Sequence, residues 1–69
     1  MKITFSQNVR ILRESDKLKQ SELAQKLGVT QRKVSYWETG KVEPNLEDLW
    51  KIADLFGISV DELIGRSMF

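Results

Sequence analysis

The residues whose types could do chemistry at a surface are concentrated between positions 31 and 36. A helix over this stretch turns Val34 and Trp37 inward and leaves outward the polar set Gln31, Arg32, Lys33, Ser35 and Tyr36. Amide, guanidinium and hydroxyl groups donate and accept the hydrogen bonds that base edges and phosphates present. The stretch therefore predicts a helix face able to contact a nucleic acid.

A second short helical pattern and a tight turn lie immediately before this face. The earlier helix carries on one side Leu23, Ala24 and Leu27. Gly28 can supply its left-handed end, and the Thr30 hydroxyl can cap the helix that follows. Helix, glycine-containing turn and helix form the helix-turn-helix arrangement, in which one helix supports the next.

Apolar spacing and capping residues divide the chain into five short helices. Their expected bounds are about 4–15, 20–27, 31–39, 46–56 and 60–64. The fourth should bury a stripe of Leu46, Leu49, Ala53 and Phe56, widened by Trp50, Ile52 and Leu55. The predicted core is Val9, Leu12, Leu18, Leu23, Ala24, Leu27, Val34, Leu49, Ile52, Ala53, Phe56, Ile58 and Leu63. We expect one compact all-α domain over 1–69, with its core within about 5–65 and a short tail at each end.

Composition excludes several classes of protein. The 69 residues include no cysteine and no histidine, which removes disulfides, thiolate metal sites and the commonest general base. No apolar run approaches the ~18 residues of a membrane span, and no apolar signal segment opens the chain. Helix capping explains the neighbouring acidic residues, and no nucleophile–base pair can be assembled. We expect a cytoplasmic protein that is not an enzyme, without cofactor, metal, membrane or evident small-molecule partner.

Charge is distributed unevenly along the chain. Residues 1–41 carry nine basic and four acidic side chains, whereas residues 42–69 carry two basic and six acidic ones. The net charge of +1 conceals this asymmetry. A basic first part indicates one face that can meet a polyanion, although in so small a chain scatter alone could produce the same imbalance.

An ordered set of short motifs carries a resemblance to a known family. The set is Leu12-Arg13, Leu18, Gln20, Glu22-Leu23-Ala24, Leu27-Gly28-Val29-Thr30, Val34-Ser35, Trp37-Glu38, Gly40-Lys41, Pro44, Leu46, Leu49, Ile52-Ala53, Gly57-Ile58-Ser59 and Asp61-Glu62-Leu63. With this spacing, residues 5–65 resemble the lambda-repressor-like family of helix-turn-helix regulators, also called the XRE or Cro/repressor family. The resemblance implies a five-helix fold whose second and third helices form the motif.

The resemblance also implies roles for individual side chains on double-stranded DNA. The third helix would enter the major groove and read bases with Gln31, Arg32, Ser35 and Tyr36. A glutamine amide suits adenine and an arginine suits guanine, each pairing being worth ~1–3 kcal/mol of discrimination. Phosphate contacts are expected from Lys19, Gln20, Thr30, Lys33, Thr39 and Lys41. For any one lysine, a solvated surface charge is an equally good interpretation.

Other positions are implied to act structurally. Arg13 and Glu38 should form a semi-buried ion pair that holds the third helix, and Trp37 should belong to the core. Two residues depart from the family pattern: Lys19 replaces a capping Ser or Thr, and Lys17 replaces the Gly or Asn that often ends the first helix. Both departures bear on local stability and not on the reading positions.

The resemblance favours a transcriptional regulator of bacterial or phage type, most simply a repressor. Family members commonly dimerise, which predicts a palindromic operator with half-sites ~34 Å apart. Candidate dimer residues are Trp50, Ile64, Met68 and Phe69. The alternative is a protein-binding adaptor or antitoxin-type module on the same fold, for which an apolar patch would matter and the third helix would not.

Overall fold

The computed structural model describes residues 5–65 as a bundle of five short helices. They are α1 (Phe5–Ser15), α2 (Gln20–Leu27), α3 (Gln31–Thr39), α4 (Leu46–Phe56) and α5 (Val60–Leu63). These bounds confirm the predicted all-α, five-helix architecture, with α2 and α3 forming the helix-turn-helix. Thr4, the expected first residue of α1, lies outside the described residues, as do Met68 and Phe69.

The core is built from one face of every helix. Its buried members are Val9, Leu23, Ala24, Leu27, Val34, Trp37, Ile52, Ala53 and Leu63, with Phe5, Leu12, Leu18, Val29, Leu49, Phe56, Ile58 and Val60 packed against them. All thirteen predicted core residues are therefore buried or half-buried. Trp37 is the largest fully buried side chain, and the ring of Phe5 meets it edge-on at 6.2 Å. This contact fixes α3 against the start of α1.

Two helix ends show how the sequence sets the turns. Gly28 ends α2 with φ +73°, and Val29 then donates its N–H to the Ala24 carbonyl at 3.0 Å. Lys17 performs the same role after α1 with φ +58°, a left-handed conformation that is unfavourable for a side chain with a Cβ. The next N–H, that of Leu18, donates to the Arg13 carbonyl at 3.0 Å. The turn after α1 thus keeps the glycine-type geometry without the glycine.

The expected apolar stripe of α4 is wrong at Leu46 and Trp50 near its start and at Leu55, which is 38% exposed, near its end. Leu46 is 63% exposed and Trp50, one turn later, is 59% exposed, whereas Ile52 and Ala53 are buried. Leu46 and Trp50, four residues apart, lie on the side of α4 turned away from the core, whereas Asp48 in the same first turn is buried. Trp50, which the sequence placed both in the apolar stripe of α4 and among the candidate dimer residues, therefore lies on the surface.

An asparagine on α1 closes the bundle at its other end. The Asn8 amide donates to the carbonyls of Leu63 at 3.0 Å and Glu62 at 3.3 Å. The Leu63 carbonyl belongs to the last turn of α5, where helix carbonyls lack intrahelical partners, and the Glu62 carbonyl also accepts the Gly65 N–H at 3.2 Å. The contact joins the first and last helices.

Candidate nucleic-acid interface

The side chains at the first two positions of α3 are exposed to solvent. Gln31 and Arg32 are exposed, while Ser35 and Tyr36, one turn later, are half-exposed. Val34 and Trp37 on the opposite side are buried, so α3 cannot rotate without exposing its core face. The helix therefore presents these four polar side chains in a fixed order.

Thr30 caps the helix that carries these residues. Its hydroxyl oxygen accepts the Lys33 N–H at 3.1 Å, and its backbone is extended. The hydroxyl hydrogen remains available to an outside acceptor. Because the positive end of the helix dipole lies at the same place, this terminus is suited to an anion.

Lys41 and Tyr36 lie together at the other end of the face. The Lys41 ammonium is 5.3 Å from the centre of the Tyr36 ring, within the range of a cation–π contact. Both side chains border the turn after α3, where Gly40 ends the helix. The arrangement places a positive charge beside a predicted base-reading position.

A buried carboxylate connects α3 to two other helices. Arg13 donates to Glu38 at 2.7 Å and 3.0 Å, and the Gln20 amide donates to the same carboxylate at 3.1 Å. The Glu38 side chain is only 3% exposed. The hydrogen bond to Glu38 raises the pKa of Arg13, against the opposing effect of partial burial. The guanidinium is therefore charged at any pH at which binding is measured.

The Gln20 side chain can bind Glu38 and contact a phosphate at the same time. One amide hydrogen is directed to Glu38, and a side-chain amide has two. The second amide hydrogen is available to an acceptor outside the protein.

Lys19, just before Gln20, is exposed at the start of α2. Glu22 accepts the Lys19 backbone N–H at 2.7 Å, but an ammonium cannot accept the reciprocal bond, so this cap is half-formed.

The hydroxyl of Thr39, one of the expected phosphate contacts, is engaged within α3. Its hydroxyl donates within α3 to the carbonyls of Ser35 at 3.0 Å and Tyr36 at 3.3 Å. A hydroxyl has one hydrogen, and a phosphate accepts hydrogen bonds without donating them. Thr39 therefore has no side-chain donor left for a phosphate in this geometry.

Lys33, another expected phosphate contact, pairs with a carboxylate of α4. Instead of extending from the polar face, its ammonium lies 3.4 Å from the Asp48 carboxylate of α4 and 5.7 Å from the centre of the Trp37 ring. Asp48 is a second buried carboxylate, with its side chain 7% exposed, and it also accepts the Asn45 N–H at 3.3 Å. No individual role was predicted for Asp48 from the sequence. The Asn45-to-Asp48 spacing was the available signal for the capping box.

Two of the expected dimer residues lie within the described part of the chain. Trp50 is exposed on α4. Ile64 is half-buried and lines an open groove of about 310 Å³ together with Phe5, Trp37 and Leu49. Trp50 is therefore much more accessible to a partner protein than Ile64 is.

The fold and this face define a helix-turn-helix domain with its second motif helix held outward. Comparison with known proteins agrees: the helix-turn-helix family model matches residues 9–63. The chain belongs to this family, whose members include transcriptional regulators and the lambda-like repressors.

Named relatives fit this assignment. The HTH-type transcriptional activator BcrR of Enterococcus faecalis is 38% identical over 60 residues, which cover 87% of this chain and 29% of that protein. The chain also spans about half the length of other curated regulators that it matches.

Two solved structures are similar in shape. A transcriptional regulator from Listeria innocua has a TM-score of 0.90 at 32% identity, with all of this chain and 64% of that one covered. The P22 c2 repressor in complex with a synthetic operator has a TM-score of 0.87 at 27% identity, with 96% and 100% covered. Within residues 5–65, no helix has both the length and the apolar character needed to cross a bilayer.

Proposed function

We propose that this chain binds a specific sequence of double-stranded DNA by inserting α3 into the major groove. The observation that carries the proposal is the outward presentation of Gln31 and Arg32 at the start of a helix that Trp37 and Glu38 hold in place. A helix N-terminus of this kind is the part of a recognition helix that contacts base edges. The P22 c2 repressor, a structural neighbour, was solved with its operator.

Each group on the face has a chemical role in this proposal. The Gln31 amide pairs with adenine and the Arg32 guanidinium with guanine, while Ser35 and Tyr36 add hydrogen bonds or contact a thymine methyl. Gln20, Thr30, Lys19 and Lys41 contact phosphates and set the register, without reading sequence. Lys33 and Thr39 are no longer included among these contacts.

We further propose that two copies bind a palindromic operator in the cytoplasm and repress transcription. One helix reads only a few base pairs, so a pair of half-sites one helical turn apart supplies the remaining specificity. The relatives include both an activator, BcrR, and phage repressors such as P22 c2. A promoter–reporter assay with the operator placed over or upstream of the promoter distinguishes repression from activation.

Selection of bound duplexes from a random oligonucleotide pool tests the proposal. We expect a palindromic consensus and an affinity that falls steeply with salt, by ~0.9 log units per log unit of salt for each phosphate neutralised. Fluorescence anisotropy of labelled consensus and random duplexes at two salt concentrations gives both quantities. If no consensus emerges and the binding is weak and independent of salt, the proposed function is wrong.

Two variants separate base reading from phosphate binding. Arg32→Ala should relax the preference at one operator position, at a cost of ~1–3 kcal/mol on the consensus duplex, because a base contact is lost. Lys41→Ala should weaken consensus and random duplexes alike and lower the salt slope by ~0.9. Equal losses from both variants on both duplexes would contradict the division of roles.

A second candidate function is a protein-binding adaptor or antitoxin-type module. The exposed pair Leu46 and Trp50, one turn apart on α4, favours it, because adjacent large apolar side chains in solvent often mark a protein contact. The variant Leu46→Ser/Trp50→Ser distinguishes the two functions. This variant should leave the affinity for a single DNA half-site intact if α3 is the surface that binds DNA.

A further inference from the structure

The two ends of α3 are attached to the rest of the protein in different ways. At the C-terminal end, Glu38 is bound by Arg13 and Gln20 from α1 and α2. At the N-terminal end, the Lys33 ammonium reaches the Asp48 carboxylate, which belongs to the first turn of α4. The Lys33–Asp48 pair lies beside the residues expected to read bases, because Lys33 immediately follows Arg32.

The surroundings of the Lys33–Asp48 pair make it more than a surface contact. The Asp48 side chain is 7% exposed and is also held by the Asn45 N–H, so its position is fixed. The Lys33 ammonium also lies over the ring of the buried Trp37, 5.7 Å from its centre. An ion pair with one buried partner and a fixed acceptor resists the solvent screening that weakens exposed pairs.

We propose that the Lys33–Asp48 pair positions the first turn of α3 and so determines which bases Gln31 and Arg32 can reach. In this inference, which rests on the proposed function, Lys33 is a positioning residue and contacts no phosphate. Loss of the pair allows the N-terminal turn to shift slightly, while Val34, Trp37 and Glu38 still hold the helix on the core. A base contact depends on placement within about half an ångström, whereas a phosphate contact tolerates more.

The test uses Lys33→Met, which retains an unbranched side chain but removes the charge, and Asp48→Asn, which retains an oxygen for the Asn45 N–H. Lys33→Arg serves as the conservative variant because a guanidinium can also reach Asp48. The matched control is Lys51→Met, which breaks the exposed Lys51–Glu47 pair on the same helix α4, 3.7 Å across. Thermal unfolding establishes that each variant is folded at the temperature of the binding assay.

We expect Lys33→Met and Asp48→Asn each to lower the ratio of consensus to random affinity about tenfold, the effect of one lost base contact. The double variant should lose no more than either single one, because both remove the same interaction. The salt slope should stay unchanged, Lys33→Arg should retain the ratio, and Lys51→Met should leave it unaffected.

Three results would overturn the inference. If Lys33→Met weakens consensus and random duplexes alike and lowers the salt slope by ~0.9 while Asp48→Asn does neither, Lys33 is a phosphate contact. If both variants lower the melting temperature but leave the ratio intact, the pair stabilises the fold alone. If the unaltered chain binds no duplex selectively, the proposed function itself fails and the inference fails with it.

Discussion

Glu38 is the residue on which the placement of α3 depends most directly. A carboxylate that is 3% exposed is stable only when its charge is compensated, and here Arg13 supplies the charge while Gln20 supplies a further hydrogen bond. Arg13 also donates to the Leu18 carbonyl at 2.8 Å. One guanidinium therefore joins α1, the turn that follows it and the end of α3.

Replacing Arg13 should destabilise the protein far more than replacing a surface arginine. Arg13→Met leaves the Glu38 charge buried without its partner, and we expect the free energy of unfolding to fall by ~3 kcal/mol. Arg10→Met is the control, since the Arg10–Glu14 pair is 63% and 56% exposed and such pairs contribute ~0.5 kcal/mol. Urea denaturation measures both variants.

The double variant Arg13→Met/Glu38→Leu checks the physical reason for that loss. Removing both charges also removes the unpaired carboxylate, so part of the lost stability should return. Similar losses for Arg13→Met and Arg10→Met would mean that the burial of Glu38 has no energetic consequence.

At the scale of the element, the helices of this chain begin with caps of unequal quality. Asn45 with Asp48, and Ser59 with Glu62, form complete capping boxes before α4 and α5. At the start of α2, Glu22 accepts the Lys19 N–H, but Lys19 offers no oxygen to the Glu22 N–H. The helix that supports α3 thus has the weakest beginning of the three.

Completing this cap should stabilise the protein. Lys19→Ser provides the missing acceptor, and we expect it to raise the free energy of unfolding by ~1 kcal/mol relative to Lys19→Ala, which loses the same charge without gaining a cap. Thermal and urea unfolding of the two variants provide the comparison. If serine and alanine give equal stability, the orphan N–H of Glu22 is already satisfied by solvent.

The helices and the buried face could be predicted from the sequence because both depend on local patterns. Gly28 and the Thr30 cap are signals within a few residues of the structure that they specify, and apolar spacing selects a helix face directly. The Lys33–Asp48 pair and the exposure of Leu46 depend on how α4 is placed against α3. No pattern within a single helix contains that information, so the sequence interpreted Lys33 as outward and Leu46 as buried.

At the scale of the whole molecule, the proposed dimer makes a geometric prediction about the operator. The protein measures 34 Å along its longest axis and 24 and 21 Å along the others, and one turn of DNA is also ~34 Å. Two copies on half-sites one turn apart lie on the same side of the duplex and are close enough to touch. Such contact makes the second copy bind more tightly than the first.

Changing the spacing between half-sites tests this geometry. Inserting ~5 base pairs turns the second half-site to the opposite side of the duplex, and inserting ~10 restores the side but adds ~34 Å of separation. We expect both insertions to abolish cooperativity, measured by anisotropy and sedimentation, while single-site affinity stays the same. Trp50→Ser should reduce cooperativity on the unaltered operator only, because this exposed side chain is the accessible candidate for the contact. Cooperativity that survives both insertions would contradict a dimer formed by direct contact between neighbouring domains.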